Sequence, residues 1–214
     1  MKKRNNFYIF CRFLLFIIFK MLFFFKSSGR ENLPEKGGCI IASNHLSYLD
    51  PIVLSIASPR MLTFMAKQEL FKNPFFSRLI TALNSFPLER GSADLKSIRF
   101  AINKLKSDGT LIIFPEGTRS TSGQINEGQS GVSMLAAKAN VPVVPTLIKG
   151  TDIALAAGSK KIRFFVPLSV HFGKLMYFKP SSSKDNLKDE YHQFSRDIIA
   201  EIQKLKSIKS ACKA

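Results

Sequence analysis

Residues 38–57 read GCIIASNHLSYLDPIVLSIA, in which an apolar run is followed by a mixed turn and then by a second apolar segment beginning Asp50-Pro51. A short, uninterrupted apolar run is typical of a strand that is buried on both faces of a sheet. Proline in the first turn of the next segment is typical of the start of a helix. This stretch therefore predicts a buried strand, a turn and a helix.

The same alternation continues on the C-terminal side of this stretch. Further apolar runs of the strand type occupy residues 61–66, 85–88, 110–114 and 141–148. Helical patterns occupy residues 74–83, 92–106, 129–140 and, as a closing amphipathic helix, 184–206. Strands and helices that alternate at this interval predict an α/β domain with a mostly parallel sheet flanked by helices. In such sheets, ligands bind at the carboxyl ends of the strands.

The N-terminal segment differs from the rest of the chain in being both very apolar and basic. Its first 26 positions contain six basic and no acidic residues, and residues 7–25 (FYIFCRFLLFIIFKMLFFF) include eight phenylalanines. Such a segment belongs in lipid or against a very apolar partner. We therefore divide the chain into a membrane-associating segment, residues 1–28, and one domain, residues 29–214.

Three interpretations of the N-terminal segment are open. A full transmembrane span is disfavoured because Arg12 and Lys20 interrupt the apolar run. On a helix these two fall on the same side as Arg4 and Lys26, as in a helix that lies in the membrane interface with its charges toward headgroups. A cleaved secretory signal is the third, but no Ala-x-Ala pattern follows. We prefer the interfacial helix, and basic flanks without acids favour the cytoplasmic face of the inner (plasma) membrane.

The charge of the chain predicts a polyanionic partner. Lys and Arg number 32 against 15 for Asp and Glu, a net charge of +17. No nucleic-acid-binding motif accompanies the charge, and the basic N-terminus is interleaved with Phe, so we expect an anionic membrane surface and no nucleic acid. The three cysteines are odd in number, far apart and without metal-ligand spacing, so we expect neither a disulfide framework nor a metal site.

His45 and Asp50 lie in the turn between the first predicted strand and its helix. Both then border the carboxyl edge of the sheet, and a separation of five positions across a turn allows the side chains to meet. An imidazole can remove a proton from an alcohol, and a carboxylate on its other nitrogen fixes the tautomer and stabilises the imidazolium. Taken alone, such a pair is more often a loop histidine followed by an aspartate that caps a helix before Pro51.

A second motif, FPEGTRS at residues 114–120, follows another predicted strand. Gly117 and Thr118 offer backbone amides and a hydroxyl, and Arg119 offers a planar cation that suits phosphate oxygens. Glu116 is placed to hold an arginine. A lone motif of this kind is an ordinary glycine turn with a surface arginine. Two strand-end motifs in one small sheet favour a single site that combines a base with an anion-binding group.

Two further cations follow predicted strands. Arg90 comes after the third strand, in FPLERG, and is a candidate second ligand of the phosphate; the alternative is a solvated surface arginine. Lys67 follows the second strand, in MLTFMAK, and is a candidate for binding the substrate. If the sheet is parallel, both cations lie at the same edge as His45.

Four motifs, in this order and at this spacing, resemble the glycerolipid acyltransferase family and are most similar to its 1-acylglycerol-3-phosphate acyltransferase branch. They are NHLSYLD (44–50), FPLERG (86–91), FPEGTRS (114–120) and VPVVPTLIKG (141–150). The resemblance covers about residues 30–175. The first and third motifs are weak apart and highly specific together.

The resemblance implies a role for each residue of the motifs. His45 is the general base and Asp50 is its partner. The phosphate of the acceptor binds to a group that Glu116 supports: Arg90, Gly117, Thr118 and Arg119. The implied reaction transfers an acyl group from an acyl thioester, acyl-CoA or acyl-ACP, to the sn-2 hydroxyl of a lysophosphatidate and gives phosphatidic acid. No cofactor beyond that co-substrate and no metal are expected.

Two alternatives to this reaction remain. The enzyme could acylate another acceptor, such as glycerol 3-phosphate or another lysophospholipid. The chain could instead be a non-catalytic module that binds anionic lipid. The partners expected for the preferred function are an anionic membrane surface, a lysophospholipid substrate, and acyl-CoA or acyl carrier protein.

Overall fold

The computed structural model describes residues 5–88, 95–118, 128–181 and 186–207, and these form a mixed sheet flanked by helices. The strands, in chain order, are β1 (Lys26–Ser28), β2 (Cys39–Ser43), β3 (Leu62–Lys67), β4 (Ser85–Leu88), β5 (Thr110–Ile113), β6 (Val143–Lys149) and β7 (Ser169–Phe172). Their order across the sheet is β1-β7-β6-β2-β5-β3-β4.

The sheet is mostly parallel, as the alternating pattern predicts. β6, β2, β5, β3 and β4 are parallel neighbours, whereas β7 is antiparallel to β6 and β1 is parallel to β7. β2 lies near the centre, and all five of its residues are buried. This two-sided burial is the reason that CIIAS is apolar without alternation.

Helices cover both faces of this sheet. They are α1 (Asn6–Phe23), α2 (Asp50–Ala57), α3 (Pro74–Ala82), α4 (Leu95–Lys106), α5 (Gly131–Ala139), α6 (Thr151–Ala154) and α7 (Leu187–Lys204), with short 3₁₀ turns at Arg30–Asn32 and Gln68–Phe71. One core cluster includes α2 and the C-terminal end of α1, and the other includes α4, α5 and α7. The predicted α/β architecture is therefore confirmed.

Two strands were not predicted from the sequence. β1 has three residues and β7 has four, and neither is a long apolar run. They pair with each other at one edge of the sheet, in the register Lys26↔Ser169 to Ser28↔His171. Pairs this short gain their stability from neighbouring strands rather than from local preference, so no local pattern indicates them.

The N-terminal helix α1 is attached to the domain by polar contacts near its start and by apolar burial toward its end. The hydroxyl of Tyr8 lies 2.8 Å from Ser55 Oγ on α2 and accepts the backbone N–H of Leu62 at 3.2 Å. At the start of the helix, Asn5 Nδ2 donates to the carbonyl of Ala82 at 2.6 Å. Phe19, toward its end, is buried in the core. α1 therefore packs on the domain along one side.

Two of the four residues in the predicted outward arc, Arg12 and Lys26, do not lie on it, whereas Lys20 is exposed. Arg12 Nη1 donates to the carbonyl of Ser58 at 3.1 Å, so its charge faces the domain. Lys26 lies in β1, after the helix has ended. The prediction is wrong for these two residues because buried carbonyls compete for Arg12 and because the left-handed Phe24 ends the helix (φ 46°). Arg4 lies outside the described residues.

The outer side of α1 is apolar instead. Phe10, Phe13 and Met21 are exposed to 63%, 64% and 69%. By length and composition α1 is also long enough to cross a membrane. This apolar helix indicates membrane association. The division of the chain at residue 28 stays a prediction.

Candidate active site

The register of the sheet places the NHLSYLD and FPEGTRS motifs side by side at the carboxyl edge. β2 and β5 are adjacent and parallel, with Ala42 opposite Ile113. His45 and Glu116 each follow three residues after these partners, at the carboxyl edge. Accordingly, the backbone N–H of His45 donates to Glu116 Oε1 at 3.0 Å. The two loops are thus joined directly, as parallel pairing predicts.

His45 and Asp50 form a hydrogen-bonded pair. His45 Nδ1 lies 2.8 Å from Asp50 Oδ2, with the Asp50 side chain fully buried and the His45 side chain 17% exposed. A carboxylate beside Nδ1 places the proton on that nitrogen and leaves Nε2 as an acceptor. In the described part of the chain, no hydrogen bond occupies Nε2. This is the arrangement of a general base held by a carboxylate.

Asp50 also binds the turn that precedes it. Its Oδ2 accepts the backbone N–H groups of Leu46 at 2.6 Å and Ser47 at 2.8 Å, in addition to His45. The interpretation of Asp50 as the cap of α2 is wrong, since the N-cap position is Leu49 and no side-chain capping bond is present. The carboxylate instead points toward the preceding turn, because three donors converge on it there. These three hydrogen bonds offset the free-energy cost of burying the charge.

An aromatic ring contacts the other side of the imidazole. The ring of Phe114, the first residue after β5, stacks on His45 with centroids 3.9 Å apart and an angle of 13° between the planes. His45 is therefore held at Nδ1 by Asp50, at its backbone by Glu116, and on one face by Phe114.

The turn that carries His45 is fixed to β6, the neighbour of β2 on the side opposite β5, and to the segment that follows β6. Asn44 Nδ2 donates to the carbonyl of Ile148 at 3.0 Å, and the N–H of Ile148 donates to Asn44 Oδ1 at 2.8 Å. Ser47 Oγ donates to the carbonyl of Leu155 at 2.6 Å. Both side chains are buried. The turn is thus tied to two segments about 100 residues away.

The FPEGTRS motif lies partly within the described residues. Glu116 is buried, Gly117 has a positive φ of 70° that suits glycine, and Thr118 is exposed. The N–H of Gly117 donates to the carbonyl of Phe114 at 3.0 Å, closing a tight turn. Arg119 lies outside the described residues. The turn therefore begins at Phe114, the residue whose ring stacks on His45.

The two remaining cation predictions concern the adjacent strands β3 and β4. Lys67 is exposed and ends β3, where it is paired with Leu88 of β4. Since β3, β4 and β5 are parallel, Lys67 lies at the same edge as the FPEGT turn. Arg90 follows Leu88 by two positions, and lies outside the described residues. The roles of both cations stay predictions.

An apolar groove opens beside Phe114. Its volume is about 210 Å³, and it lies between α1, α2 and the strands β3 to β5. Cys11 and Leu15 of α1, Ile52 of α2 and Ala66 of β3 contribute to its lining together with Phe114. The ring of Phe114 therefore contacts both the imidazole and the groove.

The motifs and the fold place this chain in a known family. The family model described as Acyltransferase matches residues 24–149, which include β2, β5 and the NHLSYLD and FPEGTRS motifs. The chain belongs to the acyltransferase family. The resemblance inferred from the four motifs is thereby confirmed.

Individual members of the acyltransferase family are similar over most of this chain. A chloroplastic 1-acyl-sn-glycerol-3-phosphate acyltransferase of Brassica napus is 31% identical over 182 residues, 84% of this chain and 51% of that protein. A Bacillus subtilis protein of the same name is 33% identical over 144 residues, 67% of this chain and 71% of that protein. This chain thus spans about half of the plant relative and most of the bacterial one.

A solved member of the acyltransferase family has the same fold. The crystal structure of the 1-acyl-sn-glycerophosphate (LPA) acyltransferase PlsC from Thermotoga maritima superimposes with a TM-score of 0.73 at 27% identity. The match covers 98% of this chain and 86% of that one. The predicted fold class is confirmed by this match as well.

Sequence reasoning missed three contributors to the site. The sequence motifs assign no role to Phe114, Asn44 or Ser47. Asn44 carries a signal, since a polar residue directly after a fully buried strand requires buried partners. The stacking of Phe114 on His45 has no comparable local signal. Within the described ranges, no cluster of three or more His, Cys, Asp or Glu side chains suits a metal ion.

Proposed function

We propose that this protein transfers an acyl group from an acyl thioester to the sn-2 hydroxyl of 1-acylglycerol 3-phosphate, giving phosphatidic acid. The observation that carries the proposal is the pair of His45 Nδ1 and Asp50 Oδ2, 2.8 Å apart at the carboxyl edge of the sheet. The names of the similar proteins from Brassica napus and Bacillus subtilis support this choice of reaction.

In the first step, His45 acts as the general base. Its Nε2 takes the proton of the sn-2 hydroxyl as the oxygen attacks. Asp50 keeps the other ring nitrogen protonated and stabilises the imidazolium that forms. The three donors on Asp50 Oδ2 hold the carboxylate in place, and the stacked ring of Phe114 limits rotation of the imidazole.

In the second step, the acyl group moves directly between substrates. The substrate oxygen bonds to the thioester carbonyl carbon and the C–S bond breaks. The departing thiolate takes the proton back from His45 Nε2 and leaves as the free thiol. A thioester is already activated, so alignment of two bound reactants and donors for the developing oxyanion supply the acceleration. No acyl-enzyme forms, and either acyl-CoA or acyl carrier protein can be the thiol carrier.

The FPEGTRS motif holds the acceptor by its phosphate. We assign the contacts with phosphate oxygens to Arg90, Gly117, Thr118 and Arg119, with Glu116 supporting them. The position of Glu116, which accepts the backbone N–H of His45, supports this assignment because it joins the two motifs. Lys67, at the same sheet edge, is a further contact for an anionic substrate. Arginines suit this task because guanidinium groups pair with phosphate in two parallel hydrogen bonds.

The apolar groove takes an acyl chain of a substrate. Its lining is predominantly apolar, and Phe114 links it to the His45 ring. Burial of each methylene of the chain contributes about 0.8 kcal/mol. The groove therefore places the reacting end of a lipid near the base while the chain is removed from water.

The exposed side of α1 gives access to lipid substrates in the membrane. We assign it to the cytoplasmic leaflet of the inner (plasma) membrane, because the N-terminal segment has basic and no acidic residues among its first 26 positions. The anionic surface of that leaflet is then the partner of the protein. A lysophospholipid can reach the site from this surface without crossing water.

A reconstituted assay tests the reaction. Purified protein is given lysophosphatidate with acyl-CoA or acyl-ACP, and phosphatidic acid is measured. We expect product with at least one donor, a loss of nearly all activity in His45→Ala, and no change in His192→Ala, a histidine on α7. Glycerol 3-phosphate, lysophosphatidylcholine and monoacylglycerol serve as alternative acceptors. Preference for an unphosphorylated acceptor, or full activity of His45→Ala, contradicts the proposal.

A further inference from the structure

Residues 160–165, KKIRFF, form a surface segment that the proposed reaction does not use. All six residues are exposed, including Ile162 at 46%, Phe164 at 51% and Phe165 at 64%. Three are cations, and residues 153–184 contain no acidic residue at all. Exposed large apolar side chains alternate here with uncompensated positive charge. Such a combination marks an interaction surface.

This KKIRFF segment is held against the C-terminal end of α1. The backbone N–H of Phe165 donates to the carbonyl of Leu22 at 2.7 Å. The ring of Phe164 contacts that of Phe23, with centroids 5.8 Å apart, and the ring of Phe165 contacts that of Phe24 at 6.2 Å. The segment therefore occupies a fixed position next to the exposed apolar side of α1.

We propose that the KKIRFF segment is a second membrane contact of this protein and that it recognises anionic phospholipid. Its occupant is the same bilayer that we assign to α1, with which its surface is continuous. Lys160, Lys161 and Arg163 lie among the phosphates of the headgroups. Ile162 and Phe165 enter the apolar boundary below them. This inference deepens the proposed membrane association and does not depend on acyl transfer.

Charge and apolar character together favour a bilayer over an acidic protein or a nucleic acid. An acyl carrier protein would satisfy the three cations but would leave the apolar side chains against a polar surface. An anionic bilayer satisfies both, since each Lys or Arg near its surface strengthens binding about fivefold and each inserted apolar side chain adds to this. The exposed apolar side of α1 next to the segment also favours a bilayer as the partner.

The inference is testable because α1 and the KKIRFF segment contribute differently to membrane binding. The outer side of α1 presents mainly apolar residues and therefore contributes to binding bilayers of any charge, whereas the KKIRFF segment adds to the preference for anionic ones. Removal of the three charges should leave binding to neutral vesicles unchanged. It should lower binding to anionic vesicles by on the order of 100-fold, and this difference should vanish at high salt.

The experiment measures co-sedimentation of the full chain with two kinds of vesicle, phosphatidylcholine alone and phosphatidylcholine mixed with phosphatidylglycerol. The charge variant is Lys160→Gln/Lys161→Gln/Arg163→Gln. The matched control, Lys106→Gln/Lys138→Gln/Lys188→Gln, removes the same charge from exposed positions on α4, α5 and α7. A second variant, Ile162→Ser/Phe165→Ser, should weaken binding to both kinds of vesicle without changing the charge.

Three outcomes overturn the inference. The first is that the charge variant binds anionic vesicles as tightly as the unaltered protein. The second is that the control variant loses as much binding to anionic vesicles as the charge variant does. The third is that the charge variant loses affinity for acyl carrier protein and not for vesicles. Acyl transfer to detergent-dispersed lysophosphatidate is measured alongside and should not change in the charge variant. Absence of acyl transfer in the unaltered protein would contradict the proposed function alone, because the vesicle comparison does not involve the reaction.

Discussion

The imidazole of His45 and the ring of Phe114 lie nearly parallel, with centroids 3.9 Å apart. Phe114 follows β5 directly, and His45 follows β2, so the stacking connects the ends of adjacent strands. Because Phe114 also lines the apolar groove, the imidazole and the groove meet at one side chain.

Phe114→Leu tests whether the ring positions the base. An aromatic contact of this kind contributes about 0.5–1.5 kcal/mol, so we expect kcat to fall about 2- to 10-fold. Phe114→Tyr, which keeps the ring, should restore kcat. Phe100→Leu, in a ring contact with Phe86 on the other face of the sheet, is the control and should leave kcat unchanged. Equal kcat values for Phe114→Leu and the unaltered protein would exclude this role.

Asp50→Asn tests the partner of the base. The amide is similar in shape but cannot keep Nδ1 protonated in the same way, so we expect kcat to fall about 10³- to 10⁴-fold, with a much smaller change in KM. Asp189→Asn, at an exposed position in the first turn of α7, serves as the control. Circular dichroism checks that the fold is retained. A folded Asp50→Asn variant with nearly full kcat would contradict the mechanism.

Ala66→Leu tests the occupant of the groove. The larger side chain fills part of the 210 Å³ volume, and each methylene of the acyl chain that no longer fits loses about 0.8 kcal/mol, or about fourfold in kcat/KM. We expect the preference to move toward shorter acyl chains, measured across a series of thioesters and acceptors. Ala137→Leu on α5, away from the groove, should not move it. An unchanged preference in Ala66→Leu would show that no acyl chain lies there.

The outer side of α1 should drive binding to neutral vesicles. Phe10→Gln/Phe13→Gln/Met21→Gln removes three exposed apolar side chains, and we expect the partition into phosphatidylcholine vesicles to fall at least about tenfold. Leu95→Gln/Phe100→Gln/Tyr177→Gln removes exposed apolar side chains from other surfaces and is the control. Equal losses of vesicle binding in both variants would indicate non-specific hydrophobic adsorption and no particular role for α1. Whole-helix deletion is unsuitable because it also removes Phe19 and Phe23 from the core.

His171 should make the fold less stable in mild acid. Burial, with Lys149 nearby, lowers the pKa of His171 from its ordinary value of 6.5. Below that value the unfolded chain binds a proton that the folded chain takes up less readily, so the free energy of unfolding falls as the pH drops below about 6.5. His171→Gln should flatten this dependence in chemical denaturation, whereas His192→Gln should not. A dependence that is identical in both variants would refute the assignment.

Much of the fold follows from local pattern. The five apolar runs became β2 to β6 with boundaries shifted by at most two residues, and Pro51 and Pro74 lie at the starts of α2 and α3. Short apolar runs and proline act within a few residues of themselves, so their consequences can be predicted without the rest of the chain. The meeting of His45 with Asp50 is likewise local, since five positions across one turn decide it.

Tertiary structure alone decided the contacts that join distant segments. The pairing of β1 with β7, the turning of Arg12 toward the carbonyl of Ser58, and the stacking of Phe114 on His45 each link residues that lie far apart in the chain. Their free energy comes from burial and from competition among many polar partners, which only the assembled fold sets. The sequence thus determined the strands β2 to β6, the family and the pairing of His45 with Asp50. The packing of the whole chain determined how the imidazole is held and which side of α1 faces outward.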